Sequence, residues 1–333
     1  MPNREITLAA IRDAAASIYT VAARTPLVRL PLPPELDERL RGAEIFLKLE
    51  LLQPIGSFKI RGAYNVVRQM SKDELKDGVW TVSAGNAAQG VALAARTAGT
   101  SCSVMVMDTA PQAKLRAIER LGASIVQVTY EECWKTVETH RSDRMRGHFI
   151  HPFDDDRFMA GNGTAGLEIA EDVPDVDAVV APLGGGGLLA GVAAAVRALR
   201  PDAQVFAAEP ETAAPFAASL ERGAPGYFEG WKASFVDGAG GKSVLPTMWP
   251  LLKEQLAGSV VVSLDEVAAA MKLAAERVHV IAEGAACCAI AAALSGRIRP
   301  RPRPGQGGPK IVAVVSGGNI DLSKFASLVG ACA

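Results

Sequence analysis

Four short stretches of this 333-residue chain hold residue types that can do chemistry. In Gly56-Ser57-Phe58-Lys59-Ile60-Arg61-Gly62 a lysine stands between two apolar side chains. Partial desolvation there lowers a lysine pKa and frees neutral amine to attack a carbonyl carbon. The plainer alternative is a surface lysine at a helix start. In Ser83-Ala84-Gly85-Asn86-Ala87-Ala88-Gln89-Gly90, small residues let backbone N–H groups at a helix start approach an anion such as a carboxylate, helped by the Ser83 hydroxyl. An Asx-type turn with a helix cap would have the same composition. Leu183 is followed by four glycines, Gly184 to Gly187, and then by Leu188-Leu189-Ala190-Gly191. Successive glycines bare consecutive N–H groups with no side chain in the way, which suits a phosphate monoester. Val315-Ser316-Gly317-Gly318-Asn319 ends the last apolar run. Its hydroxyl is placed either to meet a heterocyclic nitrogen or simply to end a strand.

The glycine loop also satisfies a rival pattern. Gly185, Gly187 and Ala190 fit the dinucleotide fingerprint GxGxxA, and the following apolar run, AQVFAAE, ends in Glu209, about where a ribose-binding acid stands. The second half of the chain alone therefore fits a nicotinamide-dependent oxidoreductase, and the first half has to decide.

The elements that must position these stretches follow from periodicity. Apolar runs alternate with Ala- and Leu-rich stretches: GVWTVSA before AAQGVALAARTAG, SCSVMVM before PQAKLRAIERLG, DAVVAPL before GLLAGVAAAVRAL, then AQVFAAE and KIVAVVSGG. This predicts α/β architecture with parallel sheets. Gly99, Gly122 and Pro201 stand where helices should stop. Residues 77–130 and 176–210 form two such blocks. The polar stretch HPFDDDRFMAGNGT between them is expected to be irregular, which implies two α/β domains with a cleft between them. RIRPRPRPGQGGP (297–309) reads as an exposed loop; it lacks the aromatics of a nucleic-acid surface.

Composition narrows the function classes. With 49% hydrophobic residues, 21% charged and a formal net charge of -1, the chain has a globular core and no global field to attract nucleic acid or an anionic membrane. A small-molecule partner is expected. Cys102, Cys133, Cys287, Cys288 and Cys332 show no CxxC pair or metal spacing and are read as reduced residues of a cytoplasmic protein. The N-terminus does not resemble a secretory signal, and no stretch approaches a membrane span.

Taken together, GSFKIRGAYN, SAGNAAQG, PLGGGGLLAG and SGGN occur in the order and spacing of the serine/threonine dehydratase family of fold type II pyridoxal-phosphate enzymes. The resemblance runs from TPLVRL (25–30) through HPFDD and AGNGT to SGGN. It implies the tryptophan synthase β-like fold, two open, twisted, mostly parallel sheets with flanking helices. The expected small domain is 48–145, and 1–47 with 146–333 make the large cofactor-binding domain. It implies that Lys59 is the Schiff-base lysine and catalytic base, and that Phe58 packs on the ring of pyridoxal 5'-phosphate. Asn86 would bond the phenolic oxygen, Gly184, Gly185, Gly186, Gly187 and Leu188 the phosphate, and Ser316 the pyridine nitrogen. Ser83, Ala84, Asn86 and Ala87 would surround the substrate. The implied reaction is β-elimination from a 3-hydroxy amino acid such as L-threonine or L-serine, giving a 2-oxo acid and ammonia. A homodimer is also implied.

Departures from the family pattern sharpen this expectation. The family's racemases resemble SSGN, whose second serine is an acid/base opposite the lysine; Ala84 stands there, favouring elimination. Ala87 replaces a histidine and Asn162 a glutamine found in many relatives; the small residue at 87 is expected to enlarge the pocket, which makes a bulkier substrate such as phenylserine or 3-hydroxyaspartate the alternative. After Glu209, Pro215 occupies the place of a second carboxylate, so no metal site is expected. The chain ends soon after SGGN, so a C-terminal regulatory domain is not expected.

Overall fold

The computed structural model describes residues 4–300 and 307–331. Ten strands make two sheets: β1 (Leu27–Arg29), β2 (Glu44–Lys48), β3 (Val79–Val82), β4 (Cys102–Met107), β5 (Ser124–Val128), β6 (His148–Phe149), β7 (Ala178–Pro182), β8 (Gln204–Pro210), β9 (Gly258–Val262) and β10 (Lys310–Val314). The larger sheet has the order β1-β2-β10-β7-β8-β9 and the smaller β5-β4-β3-β6. Only β1 runs antiparallel. Parallel strands covered by helices on both faces should read as unbroken apolar runs. Every residue of β3 and of β7 is indeed buried.

The sheet order explains why distant stretches of sequence meet. β10, last in the chain, inserts between β2 and β7 in parallel register, pairing Val314 with Lys48 and Ala313 with Val180. The loops leaving the carboxyl ends of three neighbouring strands therefore share one edge: residues 49–58 after β2, the glycine loop after β7, and SGGN after β10. Such an edge is where open α/β sheets bind ligands. Residues 83–86 leave the carboxyl end of β3, a central strand of the smaller sheet, and face that edge across a cleft.

Two expectations need correction. Only the first five residues of HPFDDDRFMAGNGT (151–155) are irregular: a 17-residue helix spans Asp156–Asp172, capped by the Asp155 carboxylate, which accepts the N–H groups of Arg157 and Phe158. Its glycines are packing surface and not turn punctuation. A Cβ on Gly161 would lie 2.4 Å from the Arg61 carbonyl oxygen, and one on Gly166 2.7 Å from that of Val192. The helix is thus wedged between those of Lys59–Val67 and Gly187–Leu199. The second correction concerns the edge of the small block. β6 lies past residue 145 yet pairs with β3, Val79 opposite His148, so the smaller sheet runs to Phe149.

Gly99 and Gly122 both take the left-handed conformation that ends a helix. Cys102, Cys133, Cys287 and Cys288 are buried and unpaired. Cys332, and residues 301–306 of the expected exposed loop, lie outside the described residues. Among the described residues no helix is long and apolar enough to cross a membrane.

Candidate active site

Lys59 opens the Lys59–Val67 helix, and its placement is fixed by backbone pairing just before it. Ser57 bridges Gly317, the Phe58 N–H donates to the Ser316 carbonyl at 3.0 Å, and the Gly318 N–H donates to that of Gly56 at 2.9 Å. GSFK and SGGN are thus stitched together, although the chain separates them by more than 250 positions. Lys59 Nζ donates to the Pro152 carbonyl at 2.5 Å and stands 5.2 Å and 5.3 Å from the ring centroids of Phe58 and Phe158. Burial among these groups lowers its pKa to about 8, against a smaller opposing pull from the Glu283 carboxylate. A larger share of neutral amine is therefore present near neutrality than for a solvated lysine.

Two helix N-termini open into the same cleft without a side-chain cap. The Asn86–Thr97 helix is preceded by Gly85, and the Gly187–Leu199 helix by Gly186. First-turn N–H groups have no partner within a helix and carry its positive dipole end, so each start is an anion site. The Ser83 hydroxyl accepts the Gly85 N–H at 3.1 Å and holds this turn open. In the glycine loop side chains are excluded outright. Gly186 has φ +91°, and a Cβ on Gly185 would fall 2.2 Å from the Phe153 ring. Asn162 Nδ2 donates to the Gly187 carbonyl at 3.2 Å from below, fixing the loop.

Every residue that the family resemblance implies for the site lines one cleft of about 410 Å³: Phe58, Lys59, Ser83, Ala84, Asn86, Ala87, Gly184 to Gly187, Leu188 and Ser316. The cleft also holds residues that sequence reasoning missed. Glu283 receives Asn86 Nδ2 at 3.0 and 3.2 Å, and Asn319 Nδ2 donates to Asn86 Oδ1 at 2.7 Å, so Asn86 is held from both sides. Burial pushes the Glu283 carboxyl up to about 7, with the Asn86 hydrogen bond opposing. One signal was available: a lone carboxylate directly before GAACCAIAAAL, a helix buried along its whole length. At the rim Lys114 pairs with Asp237 across the cleft.

The other missed feature is a buried ionic network two residues from Lys59. Arg61 donates to Glu50 at 2.7 and 2.8 Å and to Glu168 at 2.6 and 3.0 Å. Lys48 Nζ lies 2.5 Å from Glu168, and the Thr25 hydroxyl donates to Glu50 at 2.5 Å. Burial opposes charge on Arg61, but the two carboxylates more than offset it and hold the guanidinium protonated. Pro152 is presented by a second anchor. His151 Nδ1 accepts the N–H groups of Phe153 and Asp154 at 3.2 and 2.7 Å, and burial lowers its pKa to about 4, so the ring is neutral.

Glu209 stands outside this constellation. Its carboxylate accepts the N–H groups of Phe216 and Ala217 at 2.8 and 2.9 Å and the Ser259 hydroxyl at 2.5 Å, capping the Pro215–Arg222 helix. It is fully buried there, so a ribose-binding role is ruled out.

Comparison with known proteins agrees with this geometry. The family described as pyridoxal-phosphate dependent enzyme matches residues 18–317. The L-threonine ammonia-lyase of Thermotoga maritima is 37% identical over 326 residues, covering 97% of this chain and 78% of that protein. The serine racemase of Dictyostelium discoideum is 34% identical over 334 residues, covering 98% of this chain and 99% of the relative. Among solved structures, the processed form of threonine deaminase isoform 2 from Solanum lycopersicum superposes with a TM-score of 0.84 at 32% identity, covering 99% of this chain and 96% of that one. The protein therefore has the fold type II architecture, and the chain belongs to the family of pyridoxal-phosphate dependent enzymes.

Proposed function

We propose that the protein is a β-eliminating ammonia-lyase that converts a 3-hydroxy amino acid, of which L-serine and L-threonine are the simplest, to a 2-oxo acid and ammonia. The observation that carries this reading is one amine of lowered pKa, Lys59, sharing a cleft with two uncapped helix N-termini. An amino acid and a phosphorylated cofactor need one amine and two anion cradles.

The residues present fit pyridoxal phosphate. The glycine loop has no room for a Cβ at Gly184, Gly185 or Gly187, where backbone or ring atoms stand 2.2 to 2.6 Å from the position it would take. Backbone N–H groups of that loop with Leu188 would take the phosphate, Ser316 the pyridine nitrogen, Asn86 the phenolic oxygen and Phe58 one ring face. Once bound, the cofactor supplies an electron sink conjugated with the amino-acid Cα.

The chain's own residues do the rest. The Asn86 helix start, with Ser83 and Ala87, holds the substrate carboxylate and so fixes Cα. Lys59, as free amine, takes the Cα proton; the Cβ–O bond then breaks and the hydroxyl leaves as water, the net proton it carries away being the one taken from Cα, so that Lys59 ends as free amine again. The released enamine adds water and loses ammonia off the enzyme, which balances the reaction. Ala84 carries no protic group, so no side chain at that position returns a proton to Cα from the other side. That favours elimination over racemisation. Lys59→Ala is expected to reduce 2-oxo acid formation from L-threonine to background while the protein keeps its melting temperature; normal turnover by the folded variant would refute the assignment.

A further inference from the structure

A second cavity, of about 160 Å³, shares a wall with the catalytic cleft: Val82, Ser83, Ala84, Met107, Trp134 and Val137 line both. Tyr130 and Cys133 line only the second, and no charged side chain borders it. Its polar groups are few, and the Ser83 hydroxyl among them accepts the Gly85 N–H at 3.1 Å. The Trp134 indole N–H donates to Glu138 at 2.8 Å, leaving the apolar ring faces, and burial pushes the Cys133 thiol up to about 11, so it stays neutral. The pocket opens to solvent beside the exposed Tyr130, and its walls are almost wholly apolar, so an aryl ring entering it would gain by leaving water.

Its position decides what fills it. Ala84 adjoins the uncapped start of the Asn86 helix, where the proposed function places the substrate carboxylate, so the substrate would lie beside the wall that cleft and cavity share. With a side chain no longer than Cβ, Ala84 is the thinnest part of that shared wall.

We propose that this cavity receives the substrate's side chain beyond Cβ, and that the substrate is a 3-hydroxy amino acid bearing an aryl group there. Serine and threonine would leave the space empty. The carboxylate of 3-hydroxyaspartate would meet mostly apolar walls with no cation among the lining residues, and would lose hydration there. The 3-hydroxy part of this inference rests on the β-elimination reading; the size and polarity of the side chain rest on the cavity alone.

The test separates the two. L-phenylalanine and L-alanine carry no β-leaving group, so their binding to the holoenzyme, read from the change in cofactor absorbance, probes the subsite without turnover. Phenylalanine should bind at least about tenfold more tightly than alanine. Cys133→Phe, which fills the cavity from the wall away from the cleft, should abolish that preference. If this variant loses the cofactor absorbance of a folded holoenzyme, Ala84→Val, which thickens the shared wall, serves instead. If neither variant folds, the wild-type ratio decides. Equal wild-type affinities, or a preference that survives filling, overturns the subsite. A phenylalanine preference without 2-oxo acid from either phenylserine or threonine upholds the subsite and overturns the elimination reading. Turnover of threonine without the preference does the reverse.

Discussion

Lys59 and Glu283 are shifted by the same cause in opposite directions of charge. Burial disfavours the ionised form of each, lowering the amine to about 8 and raising the carboxyl to about 7. For Glu283 this couples pH to stability. Its folded value exceeds its ordinary value of 4.5, so the folded protein retains a proton that the unfolded chain releases. The contribution is an increasing loss of stability as pH rises from about 4.5 to about 7, constant above that. Asn86 and Asn319 are neutral neighbours, while Asp237, Lys114 and Lys59 supply the surrounding charge. Glu283→Gln removes the ionisation, so the cofactor-free variant should gain on the wild type between pH 5 and pH 8, by up to about 3 kcal/mol. Urea midpoints at the two pH values measure it, and a gap independent of pH would exclude the shift. Lys59 was legible in the sequence because its neighbours are apolar and its motif has partners elsewhere. Glu283 was not, because a single carboxylate at a helix start reads as an ordinary N-terminal charge.

At the scale of elements, the strands and the loops that follow them were legible because parallel strands buried on both faces leave unbroken apolar runs. The Asp156–Asp172 helix was not, because Gly161, Gly163 and Gly166 look like turn residues until the close approach of neighbouring backbones is seen. The Arg61 network escaped for a related reason: Lys48, Glu50, Arg61 and Glu168 come from separate elements and meet only in three dimensions. All four are fully buried. Arg61 ties the Lys59 helix to Glu50, just past β2, and to the Asp156–Asp172 helix, so it holds in place the element that begins with Lys59. Arg61→Met should lower unfolding free energy by about 3–5 kcal/mol, since Glu50 loses its only cation in the network and Glu168 keeps only Lys48. Urea denaturation is the check; a loss below about 1 kcal/mol would show that the network relaxes or hydrates.

For the whole molecule, the order β2-β10-β7 explains how motifs spread from residue 56 to residue 319 become one site. That convergence is a property of topology, and the sequence announced it only through the family resemblance. Taken alone, Gly185, Gly187 and Ala190 fit a dinucleotide site as well as a phosphate cradle. What separates the two is Lys59 across the cleft and Glu209 turned away into a helix cap. The central claim is that this cleft eliminates and does not racemise. It is tested most directly by incubating the holoenzyme with single enantiomers of 3-hydroxy amino acids, threonine and phenylserine included, and following 2-oxo acid, ammonia and the enantiomeric composition of what remains. An eliminating cleft gives 2-oxo acid and ammonia in equal amounts with no opposite configuration at Cα. Accumulation of the other Cα configuration without 2-oxo acid would contradict it.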